Sequence, residues 1–142
     1  MAQSLYIVVV GCGRLGSILA SRLSGQGHSV VAIDCNEKNF SGLSSEFSGF
    51  QVIGDAVELA VLEQAKTNQA DCLFAVTDQD NINLMVAQVA KTVFDVPKVL
   101  ARVFDPGKEE MYEQLGIATI SPTKLSAEAF LQVFNQPQEV GA

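Results

Sequence analysis

The hexapeptide Gly11-Cys12-Gly13-Arg14-Leu15-Gly16 follows directly on an apolar run, Tyr6 to Val10. Glycines at G-x-G-x-x-G spacing suit one kind of chemistry, the close approach of backbone N–H groups to a phosphate. In that reading Gly11 permits the turn, Gly13 lets backbone reach a pyrophosphate, and Gly16 lets a helix pack near the strand. Arg14 would stand in the first helical turn, where the helix dipole disfavours a cation unless an anion lies beside it. A second apolar run begins at Ser29 and ends in Asp34, eighteen positions beyond Gly16. An acid there can accept hydrogen bonds from both ribose hydroxyls of an adenosine. The six residues of the hexapeptide, with Asp34 and the adjacent Cys35, are thus candidates for holding a nucleotide. A 2′-phosphate beside Asp34 would meet like charge, so NAD(H) is preferred to NADP(H). The ribose of ATP or ADP suits the same acid equally well.

Further candidates lie after later apolar runs. Gly54-Asp55-Ala56 follows the third, and Thr77-Asp78 the fourth. Asp55 has two readings of equal weight: an N-cap with Glu58 three residues on, or a ligand contact. Thr77 could bond a ribose, while Asp78 and Asp80 read equally as caps. Arg102 interrupts an apolar run and needs a partner, either a structural carboxylate or a ligand. The single histidine, His28, precedes a strand and reads as structural or solvated. Cys12 and Cys35 flank the glycines, and a redox-sensing role there competes with the plainer reading of small, tolerated side chains.

These residues need a frame that gathers strand ends at one edge. Short apolar runs at Leu5–Val10, Ser29–Asp34, Phe50–Ile53, Asp71–Val76, Val99–Val103 and Ile117–Ile120 read as strands. Between them fall helical patterns: Leu15, Ile18, Leu19 and Leu23; a weak, serine-rich stretch from Glu37 to Phe47; and Val57 to Ala65. The clearest pattern is an apolar stripe of Ile82, Met85, Val86, Val89, Ala90 and Val93. Asp105-Pro106 reads as an N-cap with proline in the first turn. Ser121-Pro122 opens a last amphipathic helix with Leu125, Ala129, Phe130, Val133 and Phe134. Strands alternating with helices predict an α/β fold, a Rossmann-like, doubly wound parallel sheet of six strands with helices on both faces. One domain would span residues 4–136, with a loose tail at 137–142.

Bulk properties narrow the function. The chain has 142 residues, 48% of them hydrophobic and 18% charged, as in a compact globular domain. Nine Lys and Arg against sixteen Asp and Glu give a net charge of −7, which disfavours nucleic acid and anionic membrane surfaces as partners. Three cysteines without a CxxC, and an N-terminus without a basic region, point to a reducing, cytoplasmic setting. No apolar run is long enough to span a bilayer, so a link to a membrane would run through a protein partner. No metal-ligand cluster or Ser-His-Asp pattern accompanies the glycines. A dehydrogenase would need a substrate pocket and an acid–base residue near the nicotinamide. Binding without turnover is therefore the favoured reading, with an NAD-dependent oxidoreductase, or a fragment of one, as the alternative.

Taken together, "VVVGCGRLGSILASRLSGQGHSVVAID", "VIGDA", "ADCLFAVTDQDNINLMVAQVAK" and "RVFDP" resemble the KTN/RCK (TrkA-N type) family. That family supplies regulatory subunits of Trk and Ktr potassium uptake systems and gates some potassium channels. The resemblance implies that Gly11, Gly13, Arg14 and Gly16 hold phosphates and Asp34 the adenosine ribose. Asp55 and Ala56 would lie by the adenine, and Thr77 and Asp78 by the central or distal part of the ligand. Arg102 would lie near the phosphates or a subunit interface. The implied assembly is a dimer or ring of such domains beneath a membrane-embedded potassium transporter or channel, its shape set by NAD(H), or by ATP against ADP. The final helix would be the family's crossover helix on a neighbouring subunit, with packing on its own sheet as the other reading. Many members continue into a second, smaller C-terminal domain.

Overall fold

A computed structural model describes residues 3–138. Residues 139–142 of the expected tail lie outside it. Six strands form one parallel sheet: β1 (Tyr6–Val10), β2 (Ser29–Asp34), β3 (Phe50–Ile53), β4 (Cys72–Ala75), β5 (Lys98–Arg102) and β6 (Ala118–Ile120). Their spatial order is β3-β2-β1-β4-β5-β6, so the winding direction reverses between β1 and β4. Ligands of open α/β sheets bind at such a reversal, outside the carboxyl ends of the strands.

Why the strands read as unbroken apolar runs is clear from the layers. On one face Val8, Val10, Val31, Ile33, Leu73 and Ala75 pack against Leu62, Val86, Ala87, Ala90 and Tyr112. These come from α2 (Leu59–Gln64), α3 (Asp80–Thr92) and α4 (Glu109–Gln114). On the other face Ile7, Val9, Val30 and Ala32 pack against Ala20 of α1 (Arg14–Gly25) and Phe40. Both faces of the central strands are covered, as a parallel sheet requires.

Three expectations change. The stretch Glu37–Phe47 is helical only over a short 3-10 segment, Glu37–Gly42. Phe40 anchors it in the core, and the chain after it is held by polar bonds, Ser21 Oγ accepting from Ser44 N–H and Ser24 Oγ from Ser48 N–H. In α3 the buried face is Asn83, Val86, Ala87 and Ala90, whereas Met85 and Val93 are exposed. The buried face is rotated from the predicted stripe towards Asn83 and Ala87, with Ile82 and Val89 half-buried at its edge. The last helix, α5 (Pro122–Phe134), is capped as expected, Ser121 Oγ accepting from Lys124 N–H, but buries no residue. Phe130 is 78% and Phe134 82% exposed, so α5 does not pack on its own sheet. Beside it the α1-side face of β4 to β6 is only partly covered, with Phe74 and Leu100 half-buried and Ile120 exposed.

Candidate functional site

The loop after β1 is fixed by its glycines and by Asp34. Gly11 adopts φ +99°, and a Cβ there would lie 2.9 Å from Thr77 N and Val76 O. At Gly16 a Cβ would run into the carbonyl oxygen of Gly11. These two glycines are explained by backbone packing alone. Gly13 is not: a Cβ there would meet no atom within 4 Å, only the open cavity it borders. Gly13 is also the N-cap of α1, with no side chain capping the free N–H groups of the first turn and no acid in that turn.

The cavity has a volume of about 580 Å3, within the usual range for small-molecule sites. Gly11, Gly13, Arg14, Asp34, Cys35, Asp55, Ala56, Thr77, Asp78 and Arg102 all border it. Cys12, Leu15 and Gly16 do not. The Cys12 side chain is 1% exposed within the α1-side core, and Leu15 packs against that core. Gly16 lies beneath the loop. Their contribution is to shape the turn, because side chains on the inner surface of a loop face the sheet and not the ligand edge.

Asp34 is held from three directions. Its Oδ2 accepts from Cys12 N–H at 2.8 Å, while its Oδ1 accepts from Asn36 N–H at 2.8 Å and Asn39 Nδ2 at 3.1 Å. A carboxylate offers about four acceptor sites, so these three bonds fix its orientation and leave acceptor capacity at the cavity it borders. Burial, reinforced by the charge of Asp34, pushes the Cys12 thiol up to about 11, which makes a redox-sensing thiolate there unfavourable. Cys35 is exposed at the rim.

At the other wall Thr77 follows β4. Its N–H donates to Asn83 Oδ1 at 2.8 Å, and its carbonyl accepts from Asn83 Nδ2 at 3.1 Å and Arg102 Nη2 at 2.7 Å. Arg102 Nη2 also donates to Val76 O at 2.7 Å, and its guanidinium lies 4.7 Å from the centroid of Phe104. Of the two partners expected for Arg102, a structural carboxylate or a ligand, the first gives way to two carbonyls and a ring face. Burial lowers the pKa of Arg102, opposed by the charges of Asp78 and Asp80.

The acids sort differently from expectation. Asp55 Oδ1 accepts from Val57 N–H and closes the turn after β3, but the N-cap of α2 is Glu58. Asp80 opens α3 and accepts from Phe104 N–H at 2.7 Å and Asp105 N–H at 3.1 Å. Asp78 is exposed at the rim. His28 lies at the opposite edge of the sheet, its Nδ1 accepting from Leu5 N–H.

Sequence reasoning missed Asn36, Asn39, Gln79, Ile82 and Phe104 at the cavity, and Asn83 behind it. Asn83 had a signal, a lone amide on the buried side of an apolar helix. The others come largely from loops whose path depends on tertiary contacts.

The match to the TrkA-N domain family covers residues 7–122. The chain is 39% identical over 128 residues to the Trk system potassium uptake protein TrkA of Streptomyces coelicolor, covering 90% of this chain and 57% of that protein. It is 33% identical over 111 residues to a TrkA homolog of Pyrococcus abyssi, covering 78% and 49%. The chain therefore spans about half the length of these relatives. Among solved structures it is similar to the RCK domain of GsuK, with a TM-score of 0.78, 21% identity and coverage of 91% of this chain and 28% of that one. It is also similar to the GsuK channel bound to NAD, with a TM-score of 0.71, 20% identity and coverage of 87% and 22%. Against GsuK bound to ADP the TM-score is 0.71, at 18% identity and coverage of 87% and 32%. At these identities the structural likeness concerns the fold. The family match spans both walls of the cavity, from the glycine loop to Arg102, and the chain belongs to the TrkA-N domain family.

Proposed function

We propose that this chain is a nucleotide-sensing regulatory domain of a potassium uptake system. It binds NAD(H) or ATP/ADP in the cavity at the sheet's reversal point and does not consume it. The observation that carries this reading is Gly13. Of the three motif glycines it is the one whose missing Cβ no protein atom requires, and it borders the cavity between Arg14 and Asp34. An anionic phosphate there would meet the free N–H groups of α1 and the Arg14 guanidinium. Asp34 then receives a ribose hydroxyl and disfavours a 2′-phosphate. Asp55 and Ala56 lie towards the adenine, and Thr77, Asp78 and Arg102 towards the distal part.

The fold's neighbours include proteins bound to NAD and to ADP, which supports both ligand classes. The full-length relatives named as potassium uptake proteins support a membrane-embedded transporter or channel subunit as the partner. No described helix is long and apolar enough to cross a membrane, so the domain would act from the cytoplasmic face through that partner. The bare apolar surface of α5 supports a homo-oligomer, a dimer that can assemble into a ring, with α5 on a second copy. Ligand binding then shifts a conformational equilibrium that the partner reads.

Thermal-shift titration with NADH, NAD, NADP, ATP and ADP tests the ligand reading, because a ligand of the native state raises stability by mass action. The expected result is stabilisation by NAD(H) or by ATP/ADP and little by NADP. Equal stabilisation by NADP and NAD would contradict the role of Asp34.

A further inference from the structure

We infer that Asn83 is a positioning residue that ties the wall of the nucleotide cavity to the root of α5. The inference rests on the nucleotide reading of the cavity and adds the route by which occupancy reaches the exposed helix. Asn83 is 0% exposed, and its amide is fully committed. Its Oδ1 accepts from the N–H of Thr77 and from Thr77 Oγ1 at 2.6 Å, and its Nδ2 donates to Thr77 O and to Arg102 O at 3.0 Å. One buried side chain thus fixes the ends of β4 and β5 together, and both of those residues border the cavity.

From Arg102 the network continues to α5 without a gap. Arg102 pairs with Ile120 across β5 and β6, and Val103 N–H donates to Ile120 O at 3.0 Å. Ser121 follows at once and caps α5. A second strand of contacts runs alongside: Asp80 holds the N–H groups of Phe104 and Asp105, Tyr112 Oη donates to Asp80 O at 2.9 Å, and Thr123 Oγ1 donates to Phe104 O at 3.3 Å. A ligand that moves Thr77 or draws the Arg102 guanidinium off its carbonyls changes the demands on Asn83. The amide has no spare donor or acceptor to absorb that change, so it passes to the ends of β5 and β6 and to the first turn of α5. Buried polar networks of this kind are costly to leave half-satisfied, which gives them discrete arrangements.

The test is amide hydrogen exchange at residues 121–127 of the whole chain, with and without saturating NADH or ADP, alongside calorimetric affinities for both. In the unaltered protein, ligand should change exchange there by about fivefold or more, the lower end of ordinary coupling between sites. Asn83→Leu keeps the branched shape, loses all four bonds, and should bind ligand with the α5 response abolished. Since that variant can fail to fold, Thr123→Val serves as the second: its affinity should stay within about twofold, with a smaller α5 response that Thr123→Ser restores. Ligand binding with unchanged exchange at 121–127 in the unaltered protein would overturn the inference and leave the cavity reading intact. A full α5 response in a folded Asn83→Leu protein would overturn it too. Failure of every nucleotide to bind would overturn both readings.

Discussion

Gly11, Gly13 and Gly16 look alike in the motif, yet the structure asks different things of them. Two are needed by backbone, at Thr77 and at Gly11 itself, and one faces open space. The consequence is a paired prediction. Gly13→Ala should leave unfolding free energy within about 1 kcal/mol of the parent and weaken nucleotide binding at least about tenfold. Gly16→Ala should cost about 2 kcal/mol or more in denaturant unfolding, as overpacking against backbone does. Asp34→Asn tests the acid. It keeps the shape but turns an N–H donor against a donor, so it should lose about 1–3 kcal/mol of stability as well as affinity, read by the same two measurements. The motif and Asp34 were legible because their chemistry needs particular residue types at fixed offsets. The role of Arg102 was not, because a guanidinium satisfied by the carbonyls of Val76 and Thr77 leaves no trace in sequence spacing.

The strands are legible in the sequence to within a residue or so, since short apolar runs bounded by turn residues and alternating with longer helical patterns favour strands of a parallel sheet. The segment after β2 misleads because backbone N–H groups that a helix would bond internally, those of Ser44 and Ser48, donate instead to Ser21 and Ser24 Oγ on α1. Two thiols are buried, Cys12 in the loop between β1 and α1 and Cys72 in β4. Burial raises Cys12 from 9.0 to about 11, with Asp34 adding to it. Cys72 is likewise raised from 9.0 to about 11, chiefly by burial, with Lys98 opposing and Asp71 assisting. A raised folded value favours the neutral thiol in the native state. The resulting stability is fully present below pH 9 and is lost as pH rises towards 11. Denaturation midpoints measured from about pH 8 to 11 should therefore fall across that window, and Cys35 alone should react with an alkylating reagent at neutral pH. For α5, the double variant Phe130→Asp/Phe134→Asp should shift the sedimentation of the protein to a smaller species while leaving the far-ultraviolet spectrum unchanged.

For the whole molecule, the decisive arrangement is the reversal of winding between β1 and β4. It brings the glycine loop, the acid at the end of β2 and the Thr77 turn to one edge, and puts His28 at the other. The alternation of strands and helices makes that frame readable from the residues alone. The exposure of α5 is not readable in that way, because an amphipathic pattern records that a helix has an apolar face and not which surface meets it. A domain that gathers a glycine loop with uncapped N–H groups, an acid at a strand end and a bare apolar helix suits the proposed role of reading a nucleotide and passing its presence to a partner. The most direct measurement is isothermal calorimetry of NADH and of ADP against the unaltered chain and against Gly13→Ala. A phosphate site at Gly13 requires that at least one of the two bind the unaltered chain, and that this binding be weakened at least about tenfold in a Gly13→Ala protein that remains folded. Undiminished binding in that variant would contradict it.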